Sequence, residues 1–317
     1  MIFKTKFLLV LKLLFSVGLL YLVLSYVNLR EILEQLAEAD LFLVLIAYVI
    51  SCIGIAFSAW RWHILAPSLL SIGTALKYSW IGAFYSMVLP GAISGDIAKG
   101  ISLAIKDRDT RGATLPASII ADRVIGLLVL LVFFDAACGI IYFMYGEAFG
   151  PLRYLAGVAV VLSILGAGGG ILTVWWLATR HAQAPSGEGG PINRALRQLA
   201  DAASTYMKRP KEIALAVALS VAVHAANLIA YYFALKSLGI DAGFLVVAVI
   251  YPVLSVVLLI PISISGLGVR EVTLIALFQS FGLSSASAVA LSWLALIASV
   301  PTIVIGAALQ LTEIHRP

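Results

Sequence analysis

Charged residues stand directly after two similar interruptions of the apolar sequence. The first interruption, LPGAISGD, ends in Asp96, and the second, IPISISGLGVRE, ends in Arg270 and Glu271. Both contain the string Pro-x-x-Ile-Ser-Gly. An arginine stays charged and can hold a phosphate through two parallel hydrogen bonds, while a carboxylate can pair with a cation or carry a proton. These residue types therefore indicate a site for a charged, phosphate-bearing molecule.

Each of these charged residues also has a structural interpretation. Asp96, or Ser94 before it, could cap the N-terminus of a following helix. Lys99 lies one turn further along and could pair with Asp96. Arg270 and Glu271 could form an ion pair with each other, or Arg270 could pair with Asp96 and fix the two interruptions together. Both interpretations stay open, because ionisable residues within a membrane are costly to place there and are therefore candidates for function.

Other polar groups lie inside apolar segments. Asp122 and Arg123, in ADRVIGLL, begin one segment, where they could anchor it at the interface or contact a headgroup as part of a gate. Asp135 lies deeper in the same segment, and the sequence identifies no partner for it. His224 and Asn227 lie in the middle of another segment, where a hydrogen bond between helices is the usual role.

The composition is that of a polytopic membrane protein. Of the 317 residues, 62% are hydrophobic and 12% are charged, whereas soluble domains are nearer half apolar and a quarter charged. Cys52 and Cys138 lie in apolar runs and the histidines are scattered, so a disulfide framework, a metal site or a cofactor is not expected. The net charge of +5 fits basic cytoplasmic flanks and requires no nucleic acid partner.

The N-terminal run is predicted to be a membrane helix, and several other segments are predicted to lie at the membrane surface. The apolar run 7–27 lacks a cleavage site and is interpreted as a retained first helix, not a signal peptide. The loop after it, NLREILEQLAEAD, and the stretch 192–209 are predicted as amphipathic surface helices. The string WRWH, which contains Arg61, is interpreted as an interfacial belt.

The charge distribution decides how the apolar segments cross the membrane. If segment 73–89 spanned fully, ten basic residues that flank the apolar segments would lie outside, against the positive-inside rule. They are Lys99, Lys106, Arg108, Arg111, Arg180, Arg194, Arg197, Lys208, Arg209 and Lys211. If segment 73–89 instead breaks at Pro90 and Gly91 and returns, all ten are cytoplasmic. The apolar segments are 7–27, 41–60, 73–89, 117–145, 152–178, 213–238, 243–261 and 285–311, with a shorter one at 272–282.

This count predicts an all-α inverted repeat of about six transmembrane helices and two re-entrant hairpins, with both termini inside. Three spans in each half is an odd number, which inverts the second half relative to the first. The predicted units are a first repeat 1–150 with a hairpin at about 73–106, and a second repeat 151–317 with a hairpin at about 243–282 broken at Pro261 and a cytoplasmic linker 179–211.

The two breaks predict a polar cavity, because non-helical backbone at membrane depth must be buried in protein or reached by water. The helix after each break directs free N–H groups and a positive dipole end into that cavity, which favours anions. No catalytic or metal-binding residue is predicted. The candidate substrate-binding residues are Ser94, Gly95, Asp96, Lys99, Asp122, Arg123, Ser265, Gly266, Gly268, Arg270 and Glu271.

At LPGAISGD, ADRVIGLL and IPISISGLGVREV the chain resembles the lysylphosphatidylglycerol synthase transmembrane family, which includes the flippase portion of MprF-type proteins and stand-alone flippase-like proteins. The resemblance covers nearly the whole chain, and the last motif is its most specific part. The first motif departs from the family at Ser94, where another glycine is expected, and at Lys99, where an arginine is expected. The resemblance implies lipid translocation or binding, without the aminoacyl transfer domain that MprF-type proteins append.

The sequence therefore predicts a lipid flippase, not an enzyme, in a bacterial or archaeal cytoplasmic membrane. Its substrate would be a phospholipid, an aminoacyl-phospholipid or a polyprenyl-phosphate-type lipid. Arg270 would hold the phosphate, while Asp96 and Glu271 would compete for Arg270 or hold a cationic headgroup. Membrane lipids are the expected partners, and self-association is left open.

Three alternatives remain on sequence alone. A small-solute or ion carrier would use a closed cavity instead of a groove open to lipid. A membrane enzyme acting on a lipid phosphate would need Asp96 and Asp122 to activate a nucleophile or bind a metal. A non-transporting subunit for envelope assembly would need neither a transport cavity nor reactive carboxylates.

Overall fold

A computed structural model describes residues 2–66, 70–88, 94–106, 114–144, 150, 152–181, 206, 208–260, 262–263 and 266–314. These residues form helices joined by turns, and none of them lies in a strand. The helices are α1 (Ile2–Tyr26), α2 (Leu29–Ala37), α3 (Leu41–Leu65), α4 (Ile72–Val88), α5 (Ser94–Lys106), α6 (Thr114–Met144), α7 (Leu152–His181), α8 (Pro210–Ser237), α9 (Phe244–Val257), α10 (Val269–Ser280) and α11 (Ser285–Ile314).

The helices follow the apolar segments of the sequence closely. Among the described residues, α3, α6, α8 and α11 are long and apolar enough to cross a membrane, and α1 with α2 makes a fifth candidate if the bent pair is one span. The sixth predicted span corresponds to α7, whose described apolar section, Ala156–Gly169, is shorter. Because α7 continues to His181, the helix extends past the predicted start of the linker.

The predicted surface helix after the first span is present as α2. Its axis is bent by 90° from that of α1. Asn28 caps it by accepting a hydrogen bond from the Arg30 N–H at 3.1 Å, a common role for asparagine. Ile32 is fully buried, while Arg30 pairs with Glu34 in solvent. The helix therefore has one apolar and one polar face. The second predicted surface helix, at 192–209, lies almost wholly outside the described residues.

The helices α4 and α5, here called the first helical pair, pack closely against each other. Gly95 lies against the Gly82 carbonyl and the Ser86 hydroxyl, so that a Cβ atom at Gly95 would collide with both. The absence of a side chain at Gly95 therefore sets the approach of the two helices. The predicted break residues Pro90 and Gly91 lie between α4 and α5, outside the described residues, as does Pro261 between α9 and α10.

Replacing Gly95 with alanine is expected to lower the free energy of unfolding by about 1–3 kcal/mol, because the added methyl group forces α4 and α5 apart. Denaturant unfolding in detergent micelles measures this change. Gly139→Ala, on α6, is the matched control, since nothing lies within 4 Å of a Cβ at Gly139. That control is expected to be neutral or stabilising by up to about 1 kcal/mol. Equal effects of the two substitutions would contradict the packing argument.

The helices α9 and α10, here called the second helical pair, also contact each other, and the packing around the two pairs is similar. The first pair contacts α11 through α4, and the second contacts α6 through α9. Likewise α3 packs on α4 as α8 packs on α9, and α5 packs on α6 as α10 packs on α11. Helices α3 and α8 pack against each other, with Gly54 close to Ala226.

Three buried clusters of described residues hold these helices together. The largest joins α8, α9, α10 and α11 to parts of α1, α2, α6 and α7, and the second joins α3, α4, α5 and α6 around Trp62 and Tyr78. A small third cluster joins α3, α6 and α8. Since each pair is packed against long apolar helices, polar side chains on α5 and α10 are held inside the protein. These side chains form the candidate site.

Candidate functional site

Asp96 and Lys99 on α5 form a buried ion pair, and Arg123 on α6, whose side chain is 45% exposed, also pairs with Asp96. Asp96 and Lys99 are each 6% exposed. The Lys99 Nζ lies 2.9 Å from the Asp96 carboxylate, and the Arg123 Nε donates to the other carboxylate oxygen. The predicted pairing of Lys99 with Asp96 is confirmed. The predicted N-cap role of Asp96 is wrong, because α5 begins at Ser94 and Asp96 lies within its first turn.

Arg61 on α3 forms a second buried ion pair beside the first group. Its Nε and Nη2 donate to the two Asp122 oxygens at 2.6 and 3.0 Å, and its Nη1 donates to the Ser220 Oγ at 2.8 Å. Arg61 is 6% exposed and Asp122 3%. The interfacial position of WRWH stays a prediction, but the Arg61 side chain is buried inside the protein. Its guanidinium faces the helix bundle because α6 and α8 supply its partners.

The two ion-paired groups are contiguous. Asp122 and Arg123 are neighbours on α6, and successive helical residues point about 100° apart. Trp62 follows Arg61 on α3, and the Lys99 Nζ lies 4.4 Å from the centre of its ring, a geometry that favours a cation. We call Arg61, Asp96, Lys99, Asp122 and Arg123 the charge cluster. It joins α3, α5 and α6, and it reaches α8 through Ser220.

A line of polar residues continues from Ser220 along α8. The His224 Nε2 lies 3.1 Å from the Gly126 carbonyl on α6, and its Nδ1 lies 2.8 Å from the Tyr251 hydroxyl on α9. Because a carbonyl only accepts, Nε2 carries the hydrogen and Nδ1 accepts from Tyr251. The predicted bonding between helices is confirmed for His224. Asn227 donates to the Val223 carbonyl of its own helix at 3.0 Å.

The second helical pair holds its own buried acid, Glu271. This residue is fully buried. Its carboxylate accepts from the Gly268 N–H at 2.7 Å and from the Ser292 Oγ on α11 at 2.5 Å. Gly268 has a φ of +81° and its Cα faces Leu19 and Ser16 of α1, a backbone conformation that only glycine adopts readily. Glu271 therefore caps the first turn of α10 and ties it to α11.

Arg270 lies beside Glu271 and is 8% exposed. Its backbone N–H donates to the Gly266 carbonyl at 2.8 Å. The Arg270 guanidinium lies close to Gly266: a Cβ atom added to this glycine would be 3.6 Å from Nη2. Gly266 has a φ of +77°, so the chain turns sharply just before α10. Ser265 lies outside the described residues.

Replacing Ser292 with alanine is expected to lower the free energy of unfolding by about 1.5–3 kcal/mol, the usual range for a hydrogen bond to a charged group. The reason is that one oxygen of the buried Glu271 carboxylate loses its donor. Ser25→Ala is the matched control, because the exposed Ser25 hydroxyl donates to the Leu22 carbonyl of its own helix. A control change as large as that at Ser292 would count against this interpretation of Glu271.

The structure thus gathers the predicted residues into two places. Ser94, Gly95, Asp96, Lys99, Asp122 and Arg123 lie at the first helical pair, and Gly266, Gly268, Arg270 and Glu271 lie at the second. Asp135, for which the sequence identified no partner, accepts a hydrogen bond from the Ser163 Oγ on α7 at 3.1 Å. Within the described part of the chain, no group of three His, Cys, Asp or Glu side chains could hold a metal ion.

Several residues at the site were not among the predicted binding residues. Ser118, on α6, accepts a hydrogen bond from the Trp62 Nε1 at 3.2 Å, and the others are Arg61, Trp62, Ser220, Tyr251 and Ser292. One signal was available. Lys99 and Arg270 each follow the glycine of Pro-x-x-Ile-Ser-Gly by four residues, so both interruptions carry a cation at the same position. The spacing of Ser220 and His224, one helical turn apart on α8, also indicates a common polar face.

Comparisons with known proteins identify a membrane-protein family. Residues 9–306 match the family described as Lysylphosphatidylglycerol synthase TM region. The chain is 24% identical over 318 aligned positions to the UPF0104 membrane protein PH1989 of Pyrococcus horikoshii, and the alignment covers 92% of this chain and 93% of that protein. No solved structure gave a significant match.

Proposed function

Because the chain belongs to the lysylphosphatidylglycerol synthase TM region family, we propose that it moves a phosphate-bearing lipid between the leaflets of a membrane. The lipid headgroup passes through a polar region between the two helical pairs, and its acyl chains remain in the bilayer. The substrate is a phospholipid, an aminoacyl-phospholipid or a polyprenyl-phosphate-type lipid. The protein changes no covalent bond and requires no cofactor.

The packing of the helices supports an inverted repeat for this transport. Each contact of the first helical pair has a counterpart at the second. The contact of α4 with α11 corresponds to that of α9 with α6, and the contact of α5 with α6 corresponds to that of α10 with α11. In the proposed topology the two pairs are re-entrant hairpins that enter from opposite faces, with both termini inside. Transporters built from such repeats expose a central site alternately to each side by rocking one half against the other.

The observation that carries the proposal is the sharing of Asp96 between Lys99 and Arg123. Two cations on different helices hold one carboxylate, and both Asp96 and Lys99 are buried. A lipid phosphate offers the same kind of oxygen acceptor as that carboxylate. The phosphate can therefore replace the Asp96 carboxylate at Lys99 and Arg123, and the carboxylate can later displace the phosphate. This exchange binds and then releases a headgroup without leaving buried charges unpaired, which would be costly.

The second helical pair supports a matching anion position. Arg270 occupies the place in its interruption that Lys99 occupies in the first, and both side chains are buried. Glu271 is held by Gly268 and Ser292, so α10 is fixed to α11 as α5 is linked to α6 through Arg123. In the proposed cycle the phosphate moves between these two positions as access alternates.

Replacing Arg123 or Arg270 with glutamine is expected to slow protein-dependent lipid movement by about tenfold or more, since each substitution removes a charge-assisted bond to the phosphate. The purified protein is reconstituted into liposomes with a phospholipid labelled on one acyl chain, and leaflet exchange is followed by dithionite quenching. Arg30→Gln is the matched control, because Arg30 is exposed on α2 and pairs only with Glu34 among the described contacts.

The same vesicles distinguish transport from chemistry on the lipid. Mass spectrometry of the labelled lipid after the assay is expected to return the starting compound unchanged. Wild-type protein that exchanges no lipid, or variants at Arg123 and Arg270 that match Arg30→Gln, would overturn the proposal.

A further inference from the structure

Asp122 and Arg123 are adjacent on α6 but bind different helices. Asp122 pairs with Arg61 on α3, and Arg123 pairs with Asp96 on α5. Since both side chains belong to one rigid helix, any rotation of α6 about its axis moves both contacts together. The partner of Asp122 therefore decides where Arg123 points.

Arg61 fixes Asp122 with an unusually complete set of contacts. All three nitrogens of its guanidinium donate, two to the Asp122 carboxylate and one to the Ser220 Oγ. The Ser220 hydroxyl in turn donates to the Ala216 carbonyl at 2.9 Å, so its acceptor lone pairs face Arg61. Only a planar guanidinium can span these groups, because a lysine ammonium has no fork. Arg61 thus joins α3, α6 and α8 at one buried point.

Gly126, one turn after Asp122, leaves the space that the guanidinium fills. A Cβ atom at Gly126 would lie 3.0 Å from Nη1 and 3.3 Å from Nη2 of Arg61. The Gly126 carbonyl also accepts from His224 on α8 at 3.1 Å. Helix α6 is therefore held at two successive turns, and a side chain at Gly126 would press on an arginine that three hydrogen bonds prevent from yielding.

From these contacts we infer that Arg61 is a positioning residue for lipid transport, which sets α6 so that Arg123 meets Asp96 and the lipid phosphate. Arg61 itself touches neither Asp96 nor the headgroup and acts through the helix. The inference rests on the proposed function, because it assigns Arg61 a part in the same site. It also means that α8, a helix of the second half, helps to set the geometry of the first helical pair.

The test measures lipid exchange for Arg61→Lys and Gly126→Ala in reconstituted liposomes. Arg61→Lys keeps the charge but loses the fork, and Gly126→Ala presses a methyl group against the guanidinium without changing any charge. Each is expected to slow exchange by about tenfold, with monodisperse elution from size exclusion as the check on folding. Gly139→Ala, on the same helix but in open space, is expected to exchange lipid at the wild-type rate.

A double-mutant cycle distinguishes positioning from a merely structural role. If Arg61 acts through Arg123, Arg61→Lys causes no further slowing in an Arg123→Gln background. If Arg61→Lys slows exchange by the same factor in the wild-type and Arg123→Gln backgrounds, the inference is overturned. Wild-type exchange rates in both Arg61→Lys and Gly126→Ala would also overturn it. In either case, lipid exchange by the wild-type protein would leave the proposed function standing. Wild-type protein without lipid exchange would overturn the proposed function and this inference with it.

Discussion

Replacing Asp122 with asparagine is expected to lower the free energy of unfolding by about 3–5 kcal/mol, because it leaves the Arg61 guanidinium buried without its counter-ion. Arg61 is 6% exposed and Asp122 3%, so water cannot compensate. Asparagine has nearly the shape of aspartate, which separates the loss of charge from a loss of packing. Denaturant unfolding in detergent micelles measures the change.

The exposed pair of Arg30 and Glu34 provides the matched control. These side chains are 85% and 57% exposed, and removing one partner of such a pair changes stability by less than about 1 kcal/mol. Glu34→Gln is therefore expected to have nearly the same free energy of unfolding as the wild type. A loss at Asp122→Asn no larger than that at Glu34→Gln would contradict the buried ion pair.

The double substitution Arg61→Met with Asp122→Leu is expected to recover most of this loss. Apolar side chains of similar size can replace a buried ion pair with little change in stability, since the desolvation cost of both charges disappears. The double variant would therefore fold, yet it would lack the contact that positions α6. This double variant should therefore keep most of the wild-type stability but exchange lipid more slowly.

Under the proposed function, a large effect on transport is also expected from Asp96→Asn. Without the carboxylate, nothing displaces a bound phosphate from Lys99 and Arg123. The lipid should therefore bind more tightly and leave more slowly, by about tenfold, since affinity changes at a given site appear mainly in the dissociation rate. The maximal rate of exchange and the lipid fraction that gives half of this rate should both fall. Arg123→Gln should instead raise the half-maximal lipid fraction.

These two opposite shifts are measured by varying the fraction of phospholipid in vesicles of a neutral carrier lipid. Asp241→Asn is the matched control, because Asp241 pairs with Lys236 at 2.7 Å with its side chain 81% exposed. Its exchange should follow the wild type at every lipid fraction. If Asp96→Asn and Arg123→Gln moved the half-maximal fraction in the same direction, the exchange of phosphate for carboxylate would be ruled out.

The positions of the helices along the chain could be predicted from the sequence because two strong signals agree. Long apolar segments give the number and extent of helices, and proline and glycine interrupt helices at defined points. The bounds of α3, α4, α9 and α11 accordingly lie within a few residues of the predicted segments, except that α3 continues to Leu65. The segment 94–106 was predicted only as the returning half of a hairpin, and it forms α5.

The partners of the charged residues could not be predicted in the same way. Arg61 and Ser220 are separated by 159 positions, and only the packing of α3 on α8 brings them together. The tryptophans around Arg61 resemble an interfacial belt because local sequence does not reveal which face of a helix is buried. The cap assigned to Asp96 was wrong for a local reason: α5 begins two residues earlier, at Ser94.

The positions of Lys99 and Arg270 could be predicted only in part. Their equal distance from the shared glycine is visible in the sequence, but equal spacing does not show that both side chains are buried. The structure adds that burial and shows that Lys99 pairs with Asp96, whereas the Glu271 carboxylate accepts from Gly268 and Ser292.

Leaflet exchange of two lipids with the same labelled acyl chain tests the central proposal most directly. One lipid carries a phosphodiester headgroup, and the other carries a neutral sugar on diacylglycerol. With wild-type protein in liposomes, we predict accelerated exchange of the phospholipid over protein-free vesicles and no acceleration of the glycolipid. Exchange of neither lipid, or equal acceleration of both, would contradict a transporter that recognises the lipid phosphate.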